Sequence, residues 1–116
     1  MTEYIDIIKI GDSNMHKQIP VNIKAVKSLS IIVGDGVISN LSDYFSFGAY
    51  SSLVLVTDKT TEKLYGQKVT EALKATGKKV LILSFPPGER SKSMRQLERG
   101  YKFLIDNGVD RNALLC

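Results

Sequence analysis

Cysteine occurs once, at the last position, Cys116. A single thiol closes no intramolecular disulfide, which excludes a disulfide-framed extracellular scaffold. Histidine also occurs once, at His16, in a stretch read as an early surface turn. No acidic or cysteine cluster surrounds it, so the chain offers no metal site of its own. Long apolar runs are missing. Leu53 to Val56 is among the longest and is far too short to span a bilayer. The opening Met1 to Asp6 carries early acids and lacks the apolar core of a signal peptide. These absences predict a cytoplasmic protein with no membrane contact. Clustered charge is lacking as well. The formal net charge is +4, but the lysines and arginines from Lys59 to Lys102 fall mostly at polar helix positions and read as solvated faces. A nucleic-acid surface needs clustered charge with stacking aromatics, and the sequence has no such cluster.

What is present describes one globular domain. At 116 residues, a chain buries roughly 65% of the surface its unfolded form exposes, enough for a core without staples. The apolar share of 43% and the charged share of 24% are ordinary for such a domain. No repeat, linker or low-complexity segment interrupts it.

From residue 29 onward, strand and helix patterns alternate. Residues 4–10 read as a strand, residues 11–14 as a turn, and residues 19–23 as an edge-like strand because of Pro20. Leu29 to Val33 reads as a buried strand ended by Gly34-Asp35-Gly36. Val37 to Tyr44 follows as a short helix with Val37, Ile38, Leu41 and Phe45 on one face. Leu53 to Thr57 is apolar on both faces, the pattern of a parallel strand covered on two sides. Thr60 or Thr61 is placed to cap the next helix. That helix carries Leu64, Tyr65, Val69, Ala72 and Leu73 at helical spacing and ends at Gly77. Lys79 to Phe85 is the next strand. Ser91 to Asn107 is a helix whose buried stripe is Met94, Leu97, Tyr101, Leu104 and Ile105. Residues 113–116 begin another strand. The expected fold class is α/β, Rossmann-like, with a mostly parallel sheet and flanking helices. The strands at 29–33, 53–57, 79–85 and 113–116 are expected in one sheet, joined by right-handed crossovers.

Ligands of such sheets bind at the carboxyl ends of the strands. That places Asp58 and the loop Pro86 to Ser93 on one working edge. Asp58 either accepts hydrogen bonds from ribose hydroxyls or caps a helix, and position alone does not decide between them. Thr60 has the same two readings. Pro86-Pro87-Gly88 makes a rigid turn that delivers Glu89, Arg90, Ser91, Lys92 and Ser93 to a helix start, where backbone N–H groups and a lysine suit a phosphate. The alternative is a loop in which Ser91 caps the helix and Glu89 and Lys92 form an exposed ion pair. Gly34-Asp35-Gly36 opens G-x-G-x-x-Ser, with Ser39 where a dinucleotide fingerprint has its third glycine, and reads as a tight turn.

Four features in order resemble 3-dehydroquinate synthase, a sugar-phosphate cyclase. They are Val56-Thr57-Asp58, the helix with Leu64-Tyr65, the block Pro87 to Ser93, and Gly108-Val109-Asp110-Arg111 before an apolar strand. The Gly-Glu-x-x-Lys-Ser core is the specific part. The resemblance implies that residues 1–116 are an N-terminal nucleotide-binding domain, cut short, that binds NAD. It implies cofactor contacts from Asp58, Thr60, Glu89, Arg90, Ser91 and Lys92. Thr60 departs from the family, which often has Asn there, and a hydroxyl lacks the amide's paired donor and acceptor. The divalent metal, zinc or cobalt, and the sugar-acid phosphate substrate are then expected in a C-terminal helical domain that this chain does not contain. The full enzyme oxidises a heptulosonate phosphate with bound NAD, eliminates phosphate, reduces again and closes the ring. It is expected to be a homodimer, and this chain alone is expected to be inactive. Two other readings stay open: an NAD-dependent polyol or glycerol-phosphate dehydrogenase fragment, and a non-catalytic nucleotide-binding module.

Overall fold

A computed structural model describes residues 4–5, 16–22 and 28–116, with side chains from Ser30 onward. It divides into two compact units, residues 1–40 and residues 41–116.

The first unit holds a three-stranded antiparallel sheet in the order β1-β2-β3: β1 Tyr4–Ile5, β2 His16–Asn22 and β3 Ser28–Gly34. This overturns one expectation. Residues 29–33 do not join the parallel sheet; β3 pairs along its whole length with β2, from His16↔Gly34 to Asn22↔Ser28. The residues β3 shares with a helix-linked strand are the same β-branched types, so composition alone does not choose its partner. His16 lies in β2 rather than in a turn. Pro20 is tolerated because β1 reaches only Val21 and Asn22, which leaves Pro20 paired on the β3 side alone among the described residues. The rest of the strand expected over residues 4–10 and the turn at 11–14 lie outside the described residues. The unit ends in a 3-10 turn, Val37–Asn40. Asn40 Nδ2 donates to the Gly36 carbonyl, and Gly36 has φ +74°, as a tight turn needs.

The second unit begins with a one-turn helix, α1 Leu41–Tyr44. The single helix expected over 37–44 is therefore two short pieces, and neither buries a residue. The parallel sheet follows in the order β5-β4-β6: β4 Ser52–Asp58, β5 Lys79–Phe85 and β6 Leu114–Leu115. β4 is the central strand, with Leu53 and Val54 fully buried on opposite faces. Between β4 and β5 run α2 Lys59–Thr61, one turn of π-helix at Glu62–Gly66, and α3 Gln67–Lys74. Between β5 and β6 lies α4 Met94–Asp106.

The core sits on the α3 side of the sheet. Leu53, Phe47 and Leu73 form its centre, with Leu41, Tyr50, Leu55, Val69, Val80 and Leu114 packed around them. Leu73 and Val69 were expected on this face; Leu64 and Tyr65 were too, but they are 66% and 55% exposed because they fall in the π turn, which rotates them off the α-helical stripe. On the opposite face α4 meets β5 through Gly100. A Cβ there would lie 3.2 Å from Phe85 Cζ and 3.6 Å from Leu83 Cδ2, so only glycine lets the helix come this close without displacing the ring. The rest of the stripe expected to be buried is open: Met94, Leu97, Tyr101 and Ile105 are all exposed, and only Leu104 is half-buried. Below the sheet the chain is tied back by Asp110, whose Oδ1 accepts from Ser51 Oγ at 2.6 Å and from the Asn112 N–H at 2.8 Å.

Candidate functional site

The carboxyl edge of the parallel sheet is built by two neighbouring strands. Asp58, the last residue of β4, is in register with Phe85, the last of β5. Adjacent strands lie about 4.8 Å apart. The segments after Asp58 and after Phe85 therefore leave the sheet side by side and on the same edge.

On β4, Asp58 is the helix cap. It has extended backbone, and its Oδ1 accepts the N–H of Thr60 at 2.7 Å and of Thr61 at 2.9 Å. The Thr61 hydroxyl donates to Oδ2 at 3.2 Å. The cap expected at Thr60 or Thr61 is thus the last strand residue, two positions before Thr60, because a carboxylate at the strand end reaches two orphan donors at once. These bonds, the Thr61 N–H first, hold the Asp58 carboxyl below its ordinary value. Thr60 is exposed and contributes its N–H to the cap. Of the two roles open for Asp58, capping is present, and Oδ2, which accepts the Thr61 hydroxyl, has acceptor capacity left.

On β5, the loop starts at Pro86. Gly88 has φ +90° and ψ 172°, a conformation closed to residues with a side chain. Glu89, Arg90 and Ser91 then form one 3-10 turn. Ser91 does not cap the long helix. Its hydroxyl donates back to the Gly88 carbonyl at 2.8 Å, and Ser93 is the cap of α4, accepting from the Gln96 N–H at 3.4 Å. The reason is the 3-10 turn, which consumes Glu89, Arg90 and Ser91 before the helix starts. The backbone N–H groups of Ser91, Lys92 and Ser93 are donated to Gly88, Glu89 and Ser91 carbonyls. They are therefore not the free donors expected of Ser91. Helix geometry leaves the N–H groups of Met94 and Arg95 in that role.

Lys92 Nζ and Glu89 Oε1 are 3.0 Å apart, with both side chains open to solvent at 75% and 86%. In this ligand-free arrangement they satisfy each other, as the alternative reading of the loop held. Ser91 and Lys92 also line an open groove of about 360 Å³ with Phe85, Ser93, Gln96 and Leu97. Asp58, Thr60, Glu89 and Arg90 are not among its walls. The structure thus gathers the six residues into two clusters, Asp58 with Thr60 and Glu89 to Lys92, on one sheet edge.

Arg99 is the residue that sequence reasoning missed. It was read as a solvated surface charge. Its Nη2 donates to the Ser84 carbonyl at 2.6 Å, its Nη1 to Gln96 Oε1 at 3.0 Å, and its guanidinium lies 5.5 Å from the Phe85 ring centroid. It braces the end of β5 directly beneath the loop. The available signal was its place beside Gly100, a glycine in mid-helix, which marks the side of α4 that touches the sheet. Across the sheet, Glu62 is held below its ordinary value by the Ser84 hydroxyl first and by Lys59 second. The Ser84 hydroxyl is itself buried and completes no close hydrogen bond among the described residues. Among those residues no three His, Cys, Asp or Glu gather as they must to hold a metal ion. No helix among them is long and apolar enough to cross a membrane.

No family model matches the chain. Individual relatives do. The 3-dehydroquinate synthase of Thermoplasma volcanium is 35% identical over 88 residues, covering 76% of this chain and 24% of the relative. This chain is similar in sequence to one part of 3-dehydroquinate synthase. The enzyme of that name from Lactococcus lactis subsp. cremoris is 32% identical over 71% of the chain, and that of Clostridium kluyveri is 31% identical over 85%. The chain spans about a quarter of the length of these synthases. Among solved structures, 2-deoxy-scyllo-inosose synthase superposes with a TM-score of 0.73 at 19% identity, over 87% of this chain and 28% of that one. The same enzyme complexed with carbaglucose-6-phosphate, NAD+ and Co2+ gives 0.72. These neighbours share the Rossmann-like parallel fold seen in residues 52–115.

Proposed function

We propose that this chain is the NAD-binding N-terminal part of a 3-dehydroquinate synthase, which converts a heptulosonate phosphate to 3-dehydroquinate with loss of phosphate. The observation that carries this reading is the paired exit of Asp58 and the Pro86 loop from neighbouring parallel strands. It sets a carboxylate and a cationic loop side by side, as an adenosine ribose and a phosphate require. The relatives supply the reaction and the solved neighbour in complex with NAD+ supplies the cofactor. In this reading residues 1–116 form the nucleotide-binding domain. The metal, zinc or cobalt, and the sugar-acid phosphate are held by a later, helical domain of a cytoplasmic homodimer.

Asp58 then offers Oδ2 to ribose hydroxyls while Oδ1 keeps the cap. Glu89 parts from Lys92 to meet the ribose, and Lys92 turns its ammonium to the phosphate beside Ser91. Arg90 and Thr60 flank the two clusters. The test joins this chain to the remaining part of the T. volcanium synthase and titrates NAD calorimetrically. Glu89→Ala is expected to weaken NAD binding at least tenfold and to leave the melting temperature of the ligand-free protein nearly unchanged. The second half follows from the exposure of the Glu89–Lys92 pair, which is worth at most about 1 kcal/mol. Unchanged affinity would place the cofactor on another loop.

A further inference from the structure

Arg99 makes three directed contacts, and they come from different parts of the fold. Its Nη2 donates to the Ser84 carbonyl at 2.6 Å, its Nη1 donates to Gln96 Oε1 at 3.0 Å, and its guanidinium lies 5.5 Å from the centroid of the Phe85 ring. At that distance a cation is drawn to an aromatic face. α4 already meets the sheet through the neighbouring Gly100, which packs on Phe85 and Leu83. Holding the helix on the sheet therefore does not account for all three contacts.

The anchor of this brace is fixed in place. Ser84 is 8% exposed and is in register with Thr57, one residue before Asp58. Its side chain alternates with Leu83 and Phe85 and so faces away from α4. On that other face the Ser84 hydroxyl holds Glu62 below its ordinary value, and Glu62 pairs at 3.0 Å with Lys59, next to Asp58. The parts that Arg99 holds are less secure. Phe85 and Gln96 are both walls of the groove of about 360 Å³ that Ser91, Lys92 and Ser93 also line. One comes from the end of β5 and the other from the first turn of α4. That turn is weakly capped, since the Gln96 N–H reaches Ser93 Oγ only at 3.4 Å, longer than an ordinary N–H···O bond. Arg99 acts on the same Gln96 through its side chain. It ties the strand wall and the helix wall of the groove to one buried position beside the Asp58 strand.

We propose that Arg99 is a positioning residue for the cofactor: it stands outside the groove and fixes the spacing of its Phe85 and Gln96 walls, so that Lys92 and Asp58 meet one NAD molecule. The proposal rests on the reading of the chain as the NAD-binding part of the synthase. The role calls for a planar, forked cation that donates in two directions at once. A lysine ammonium keeps the charge and loses the fork.

Two measurements test it. In the 116-residue chain, NMR is expected to show the Arg99 Nη protons as separate, slowly exchanging signals, because two acceptors hold them. One averaged signal would mean a free guanidinium and would overturn the proposal. In the joined protein of the NAD titration, Arg99→Lys and Arg99→Met are each expected to weaken NAD binding at least fivefold. The melting temperature of the ligand-free protein should stay nearly unchanged, since Arg99 is exposed and its loss opens no cavity. Lys102→Met removes a charge from the same helix, where Lys102 pairs with Asp106 away from the groove, and should leave the affinity as it was. Full affinity in Arg99→Lys with loss in Arg99→Met would make charge alone responsible. Full affinity in both, or a loss that only follows a fall in melting temperature, would make Arg99 a structural tie. Each of these results overturns the proposal. A parent protein that binds no NAD is a different result: it sinks the functional reading, and with it the cofactor that Arg99 would position.

Discussion

Three carboxylates show how single residues here are held by local bonds. Asp58 and Asp110 are kept below the ordinary aspartate value, the first chiefly by the Thr61 N–H and the second chiefly by the Ser51 hydroxyl; Glu62 is lowered by Ser84 and Lys59. A carboxyl whose folded value lies below its unfolded one stabilises the fold above the unfolded value, near pH 4, and loses that contribution as pH falls through the folded value. The chain is therefore expected to lose stability on acidification below about pH 4. Asp110→Asn should flatten that limb and lower the melting temperature at pH 7 by a few degrees, since the amide keeps an acceptor but not the charge. Thermal melts between pH 2 and pH 7 check this; an acid limb of unchanged slope in Asp110→Asn, Asp58→Asn and Glu62→Gln together would mean these bonds are not formed.

At the scale of elements, the contact of α4 with β5 is the joint that positions the loop. It has one glycine, one aromatic ring and one guanidinium: Gly100, Phe85 and Arg99. Gly100→Ala gains helix propensity, about 1 kcal/mol, and needs Phe85 to yield a few tenths of an ångström. The two effects should nearly cancel. Gly100→Leu has no such relief. It is expected to push α4 off the sheet, costing about 1–3 kcal/mol, and to weaken NAD binding through the displaced Ser93 cap. Chemical denaturation of the two variants separates them. Equal stability in Gly100→Leu and the parent would show that the helix does not sit this close. The same comparison shows how sequence and structure diverge at this scale. The strand over 53–57, the strand over 79–85 and the helix ending near Asn107 were legible because each carries a regular run of apolar residues, the last two with a stop at Pro86 and at Gly108. The partner of residues 29–33 was not, since antiparallel pairing with β2 and parallel pairing with β4 call for the same side chains.

For the whole molecule, the relevant fact is proportion. The chain spans about a quarter of the length of its relatives, and its parallel sheet is covered only in part on either face. Among the described residues no three metal-ligating side chains come together. The chain alone is expected to release no phosphate from the heptulosonate phosphate above a Glu89→Ala control. Phosphate release by the purified chain would move the chemistry into these 116 residues and overturn the division of labour proposed between the two parts of the synthase.

The sequence by itself determined the α/β class, the order of strands and helices from Leu53 onward, and the loop Pro86 to Ser93 as the place to look. Those features depend on local periodicity and on residues with restricted backbone freedom, which act the same way in any surroundings. Only tertiary structure decided that Asp58 caps its own helix, that Ser93 and not Ser91 opens α4, and that Arg99 grips the Ser84 carbonyl. It also decided that the apolar stripe of α4 is left exposed. Each of these depends on which group arrives first at a shared donor, acceptor or surface, and that is settled by distances across the fold rather than by spacing along the chain.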